Sequence, residues 1–275
     1  MNQKFSGEVV EILGKEPGGT SMILVGVHGN ETCGPLAMDY LLPGLKIEKG
    51  RVLIAYANPN AILRGVRSTE QNLNRLFRPV DQLSVQELRS YEFQRAQYLK
   101  TFLDQCDALL DIHASSNPDS REFVICERNA KKITDVLPIQ TIVYGFDDVE
   151  PGGTDYYMNS IGKVGICVEC GIIGSDKAFE TALESIFSFL KARQHISGRF
   201  TRSKKEQIQM YELYLTKTKK FRLVKPLADF TEVEAGQIIG YDGSLAVTAE
   251  RKSIILFAHN RNKVGEEAFL LGEYL

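Results

Sequence analysis

Four short apolar runs, each stopping at a side chain able to do chemistry, limit what this chain can fold into. Residues 21–27 (Ser-Met-Ile-Leu-Val-Gly-Val) lead directly into His28, and residues 51–56 end near Asn58. Residues 108–112 end at His113, and residues 164–168 end at Glu169. Continuous apolar runs of this length predict strands buried on both faces, as in a parallel sheet whose two sides are covered by helices. With 43% hydrophobic residues in 275, the chain has enough apolar surface for such a core.

Helical patterns fall between and after the strands. Ser84-x-x-Glu87 has the form of a capping box and opens a segment carrying Val85, Leu88, Leu99, Phe102 and Leu103 on a broad apolar face. From Phe179 the apolar positions 179, 182, 183, 186, 187 and 190 keep the spacing of an amphipathic helix, with its start at Ser175 or Asp176. Strand therefore alternates with helix up to about residue 195, which is the pattern of an α/β fold. Beyond a polar, basic stretch at 198–205 the texture changes to brief β-prone runs at 208–215, 221–224, 237–241, 245–248 and 253–258. The expected organisation is a catalytic domain over 1–198 and a small β-rich C-terminal domain over 199–275.

A formal net charge of -2 and a pI near 6.2 give no global field for nucleic acid or an anionic membrane, so neither is expected as a partner. The first residues carry no basic region followed by an apolar stretch, and no apolar run reaches the length of a membrane span, so a cytoplasmic protein is expected. Five cysteines, an odd number, read as reduced thiols. Cys167 and Cys170 form a C-x-x-C, but on a strand positions three apart point to opposite faces, which argues against a redox pair.

In an open α/β sheet, ligands gather at the carboxyl ends of the strands, where His28, His113 and Glu169 fall. Two histidines and a carboxylate are a common catalytic zinc set that leaves one position open for water. Glu31 supplies the carboxylate, since His28-Gly-Asn-Glu31 lets two side chains reach one ion from a single turn, with Gly29 permitting a sharp backbone. Taken alone, His-x-x-Glu is a weak pattern, and a single histidine at a strand end is usually structural. Here two of only four histidines end buried runs.

Val27-His28-Gly29-Asn30-Glu31, Asn72-Leu73-Asn74-Arg75, Asp111-Ile112-His113 and Val168-Glu169-Cys170-Gly171 resemble, in order, the motif series of the succinylglutamate desuccinylase/aspartoacylase family. The resemblance implies a zinc-carboxypeptidase-like fold, a mixed and largely parallel sheet flanked by helices. It implies one zinc ion held by His28, Glu31 and His113, with Glu169 as the general base. It also implies that Arg67 polarises the scissile carbonyl and that Asn74 and Arg75 receive a substrate carboxylate. These three residues lie in a basic stretch, residues 64–78, that reads as an anion cradle, because the arginine fork pairs bidentately with carboxylates. Arg64 and Arg78 read as solvated, and Asp111 as either an orienting partner for His113 or an ordinary strand-end carboxylate.

Three positions depart from the family. Asn159 stands where aspartoacylases carry an arginine for a second carboxylate, Phe269 aligns with a substrate-binding tyrosine, and Asn72 replaces an aspartate. The expected function is a zinc-dependent deacylase cleaving the amide of an N-acyl amino acid or similar small anionic substrate. The alternatives are a zinc carboxypeptidase acting on a peptide or cell-wall fragment, and a non-catalytic zinc-containing binding protein.

Overall fold

The structure, a computed structural model, describes residues 7–117, 119–200 and 202–275. Its frame is an eleven-stranded mixed sheet. In chain order the strands of its N-terminal part are β1 (Val10–Leu13), β2 (Glu16–Val25), β3 (Lys49–Tyr56), β4 (Ala108–Ser115), β5 (Phe123–Cys126), β6 (Thr141–Tyr144) and β7 (Val164–Ile172). The C-terminal part adds β8 (Glu206–Leu215), β10 (Thr231–Val233), β13 (Ser253–Leu256) and β14 (Glu267–Tyr274). The order across the sheet is β1-β3-β2-β4-β7-β5-β6-β8-β14-β13-β10. Strands β3, β2, β4 and β7 run parallel to one another, as do β5, β6 and β8. The strands β9 (Phe221–Leu223), β11 (Ile238–Asp242) and β12 (Leu245–Thr248) make a separate antiparallel sheet.

Alternation along each central strand sends neighbouring side chains to opposite faces, and both faces are covered. Ile23, Val25, Leu110, Ile112, Ile166 and Val168 share one core with the helices α1 (Cys33–Leu41) and α8 (Asp176–Ala192). Met22, Leu24, Leu53 and Leu109 share the other with Ala96, Leu99 and Leu103 of α4 (Tyr91–Leu103). Burying a leucine or isoleucine side chain stabilises by about 1.5–3 kcal/mol, which is why the strands are continuously apolar rather than alternating with polar residues. The remaining helices are short: α2 (Pro59–Arg64), α3 (Val85–Leu88), α5 (Lys131–Thr134), α6 (Phe146–Val149) and α7 (Thr154–Ser160). Among the described residues no helix is long and apolar enough to cross a membrane.

The structure refines several expectations. Ser84 and Glu87 do form a capping box, but the helix they open ends at Leu88, and Ser90 caps a second one by accepting from Phe93 N. Two caps six residues apart split what reads as one amphipathic segment. His113 and Glu169 lie inside β4 and β7 rather than after them, because the two strands go on pairing as far as Ser115 and Ile172. Ser175 caps α8 as expected. Cys167 and Cys170 belong to different cores, on opposite faces of β7, and both thiols are buried and free.

Candidate active site

The register of β4 and β7 explains how distant residues meet. His113 pairs with Glu169 and Asp111 with Cys167, so four side chains separated by up to 58 positions stand side by side on one face of the sheet. A register shift between His113 and Ser115 marks where the ladder becomes irregular beside the site. His28 and Glu31 come from the loop after β2. Gly29 is required there for close approach rather than for a turn: a Cβ on it would lie 2.0 Å from the carbonyl carbon of Ala61. The loop therefore presses against the backbone of α2, and Gly29 N donates to Arg67 O at 3.3 Å.

The third segment, residues 64–78, is anchored from beneath by a buried carboxylate. Glu92 of α4 accepts from Thr69 N at 2.7 Å, Thr69 Oγ1 at 2.6 Å and Gln71 N at 3.1 Å. Burial works against its charge, but the hydroxyl and amide of Thr69 and the amide of Gln71 outweigh it and hold the carboxyl below its usual range. That staple fixes the turn carrying Asn72, Asn74 and Arg75. Arg64 is exposed, as expected. Arg78 is not simply solvated: its Nε donates to Arg75 O at 2.9 Å and its Nη2 to Glu87 Oε1 at 2.7 Å.

At the centre, one oxygen of Glu31 lies 2.7 Å from His28 Nδ1 and the other 3.0 Å from His113 Nδ1, with Ala114 N donating to the latter at 3.1 Å. The outer nitrogens face other groups. His28 Nε2 lies 3.0 Å from Asn72 Oδ1, whose identity as oxygen is fixed by the amide of Asn74 donating to it at 3.1 Å. His113 Nε2 is 3.1 Å from Asp111 Oδ2, within ion-pair reach. Asp111 Oδ2 is itself held by Thr154 Oγ1 at 2.5 Å.

This arrangement fits a divalent cation. Acceptors beside both Nε2 atoms favour the proton there and leave the two Nδ1 lone pairs aimed at a carboxylate. Lone pairs facing lone pairs in a buried site repel unless a cation lies between them. His28, Glu31 and His113 offer ligand atoms that all lie within 4.8 Å of one another, so they could hold a metal ion, as could His113, Cys167 and Glu169. Burial alone would raise the Glu31 carboxyl, but His28 and His113 outweigh it and hold it well below the usual range. Burial pushes His28 below its ordinary value against the pull of Glu31.

Glu169 is buried, and among the described residues its Oε2 has no hydrogen-bond partner. Burial, reinforced by the charge of Glu31, pushes its carboxyl up to about 8. Arg67, exposed at the rim, donates Nη1 to Glu31 Oε1 at 3.1 Å. Arg75 is closed off. Its Nε and Nη2 donate to Glu267 Oε1 and Oε2 at 2.8 and 3.0 Å, Nη2 also pairs with Glu150 Oε1, and Nη1 donates to Asn74 O at 2.8 Å. Asn74 Oδ1 lies 3.4 Å from Thr154 N, its donor.

A cavity of about 630 Å³ joins these groups. It also takes in residues that carry no expectation from the sequence: Asp147, Glu150 and Asp155 before and at the start of α7, His259 and Arg261 from the segment between β13 and β14, and Glu267 at the start of β14. The acidic stretch Phe-Asp-Asp-Val-Glu-Pro-Gly-Gly-Thr-Asp at 146–155 was a legible signal for the first group. Phe269 also lines the cavity, its ring stacked on Tyr214 at 5.1 Å between centroids.

The buried acids set a pH dependence for the metal-free protein. Burial, added to by Asp147, pushes Asp155 up to about 7, and burial pushes Glu150 up to about 8 against Arg75. Unfolded, these carboxyls titrate at about 4. At pH 7 and above, where unfolded histidine is already neutral, the folded chain still binds more protons than the unfolded one, so stability falls as pH rises. Melting with chelator present is expected to show Tm dropping from pH 7 to about 9, with a shallower slope in Glu150→Gln. A flat or rising curve contradicts this assignment. Glu267, held at about 2, works in the other window: burial opposes its charge, Arg75 outweighs it, and its contribution is lost only as pH falls below about 4.

Comparison with known proteins gives the family and the fold. The profile of the succinylglutamate desuccinylase/aspartoacylase catalytic domain matches residues 17–193. The succinylglutamate desuccinylase of Vibrio cholerae serotype O1 is 25% identical over 278 residues, covering 91% of this chain and 79% of that protein. That of Pseudomonas putida is 39% identical over 85 residues, 30% of this chain, and the match spans only 24% of its own length. Among solved structures, the Vibrio cholerae desuccinylase superposes with a TM-score of 0.82 at 19% identity, over 97% of this chain and 85% of that one. The product-bound ectoine utilization protein EutE (DoeB) of Ruegeria pomeroyi gives 0.72 at 19% identity, over 96% and 88%.

Proposed function

Because the chain belongs to the succinylglutamate desuccinylase/aspartoacylase family, we propose that its cavity is the active site of a zinc-dependent amidohydrolase. Its substrate is an N-acyl amino acid or a similar small carboxylate-bearing amide. The observation that carries this reading is the pair of imidazoles turned inward on one carboxylate, with Asn72 and Asp111 behind them. His28, Glu31 and His113 would hold the ion. Zinc bound there supplies a polarised carbonyl and a water acidic enough to lose a proton near pH 7.

The chain's own residues do the rest. Glu169, beside His113 in the register, takes the proton of the attacking water and returns it to the leaving nitrogen. Arg67 at the rim offers its free guanidinium nitrogens to the oxygen that gains charge as the amide is attacked. Asn74 contacts substrate directly, while Arg75 acts on it as a triad with Glu150 and Glu267 rather than as a lone cation. Residues 1–198 form the catalytic part and 199–275 the β-rich part, joined by the pairing of β8 with β6.

A zinc carboxypeptidase would use the same groups, so the substrate panel decides. The zinc-loaded protein is expected to hydrolyse small N-acyl amino acids and not dipeptides, to lose that activity on chelation and to regain it with zinc. Turnover of dipeptides alone makes it a carboxypeptidase. No hydrolysis by metal-replete protein makes it a binding protein.

A further inference from the structure

Arg75 already holds a carboxylate of the chain in the way an arginine holds a carboxylate ligand. Glu267 meets it side-on, Nε to Oε1 at 2.8 Å and Nη2 to Oε2 at 3.0 Å, which is the parallel pair of bonds that a guanidinium fork makes to an acid. Nη2 also pairs with Glu150 Oε1, and Nη1 donates to Asn74 O at 2.8 Å. All three nitrogens are engaged, and the two that form the fork are engaged by acids.

The backbone around Glu267 is built to hold this contact. Glu267 opens β14, and the register shift between Glu267 and Phe269 marks a bulge beside the cavity, a device that re-aims a side chain. The carbonyl of Glu267 accepts from Arg261 Nε at 2.5 Å. Its neighbour Glu266 donates its amide to Thr216 Oγ1 at 3.0 Å, and its carboxylate accepts from the amides of Asn262 and Lys263 at 3.1 and 2.9 Å. Glu150 is fixed by its own amide, which donates to Phe146 O at 2.8 Å.

Two acids thus share one cation, and they share it unequally. Burial pushes Glu150 up to about 8 against Arg75, whereas at Glu267 Arg75 outweighs burial and holds the carboxyl at about 2. A substrate carboxylate arriving here has two routes. It can displace Glu267, which strands a partly buried acid without its cation, or it can stand beside Glu267 as a third acid. Either route weakens its binding, since like charges are brought together or an ion pair is broken.

We infer that Glu267 is a specificity-determining residue: it fills the fork of Arg75 as a built-in carboxylate, so that the part of the substrate lying against Arg75 is uncharged and any substrate carboxylate is received elsewhere in the cavity. This rests on the deacylase reading above. Arg75 then orients Glu267, Glu150 and Asn74 as one wall instead of binding the substrate's charge itself.

The test compares Nα-acetyl-alanine and Nα-acetyl-leucine with their carboxamides, which keep the shape without the charge, by acetate release from the zinc-loaded protein. The readout is the acid-to-amide ratio of kcat/KM. In a chain that keeps Glu267, Arg75→Gln is expected to leave this ratio within about threefold of the parent. In Glu267→Ala and Glu267→Gln the ratio rises by about tenfold or more, through KM more than kcat, because the freed fork can take a carboxylate. Combining Glu267→Ala with Arg75→Gln removes the gain. A ratio lowered about tenfold by Arg75→Gln alone means that the substrate carboxylate displaces Glu267, and it overturns the inference. So does a ratio that neither Glu267 variant moves, and in both cases the deacylase reading stands. If none of the four compounds is cut, the deacylase reading fails, and calorimetry with the same compounds reads the role of Glu267 alone. Acid binding strengthened about tenfold by Glu267→Ala supports it, and unchanged acid binding overturns it. Should Arg75→Gln fail to fold, the Glu267 variants carry the test.

Discussion

Glu169→Gln is expected to lower kcat by about 10²- to 10⁴-fold while the protein keeps its metal. Glutamine has the shape of glutamate and fills the same place on β7, so no cavity opens and the strand pairing of His113 with Glu169 is preserved. What disappears is the only property a base needs, an oxygen that can take a proton. Glu169 Oε2 is free to do so, since among the described residues no group donates to it. In the metal-free protein its carboxyl is pushed up to about 8, by burial first and by Glu31 second. Removing a buried charge also removes its desolvation cost. The variant is therefore expected to melt no lower than the parent at pH 8 without metal. Elemental analysis, a kcat measurement and a melting curve on the same sample check all three. A kcat within about threefold of the parent removes Glu169 from the chemistry.

The centre of the site was legible in the sequence because strands announce themselves. A run such as residues 164–168 must be buried on both faces, and a carboxylate that ends it must then lie where ligands collect. His28, His113 and Glu169 are legible this way and Glu31 from its spacing to His28, and the four are brought together. The wall of the cavity was not legible. Arg75 reads as a free cation within its own segment, yet its partner Glu267 lies 192 residues away, and no local pattern encodes that pairing. Strands β5 and β6, four residues each, are too short to carry a period, although they position the edge beside Glu169. In the sequence Gly29 reads as conformational freedom. Its real constraint is the backbone of Ala61, set by tertiary packing. Local grammar thus located the chemistry, while long-range pairing determined what the chemistry is offered.

His113→Ala, and independently His28→Ala, are expected to reduce bound zinc from about one per chain to background and hydrolysis to below detection. The argument does not depend on the site collapsing. Glu31 keeps the amide of Ala114 and the guanidinium of Arg67 whichever imidazole is lost, so the carboxylate stays in place with one ligand fewer. Two protein ligands do not hold zinc as three do, and the open coordination positions fill with water. The outer partners provide a graded comparison. Asp111→Asn keeps the shape beside His113 Nε2 but removes the charge that favours a proton there, and about a 10- to 100-fold weaker metal affinity is expected with the ligands intact. Competition against a chelator of known affinity measures both effects. Stoichiometric zinc retained in both alanine variants would mean that the inward-facing imidazoles are an ordinary buried hydrogen-bond network around Glu31. The ion would then have to be sought at His113, Cys167 and Glu169 in the His28 variant, a set that His113→Ala also dismantles.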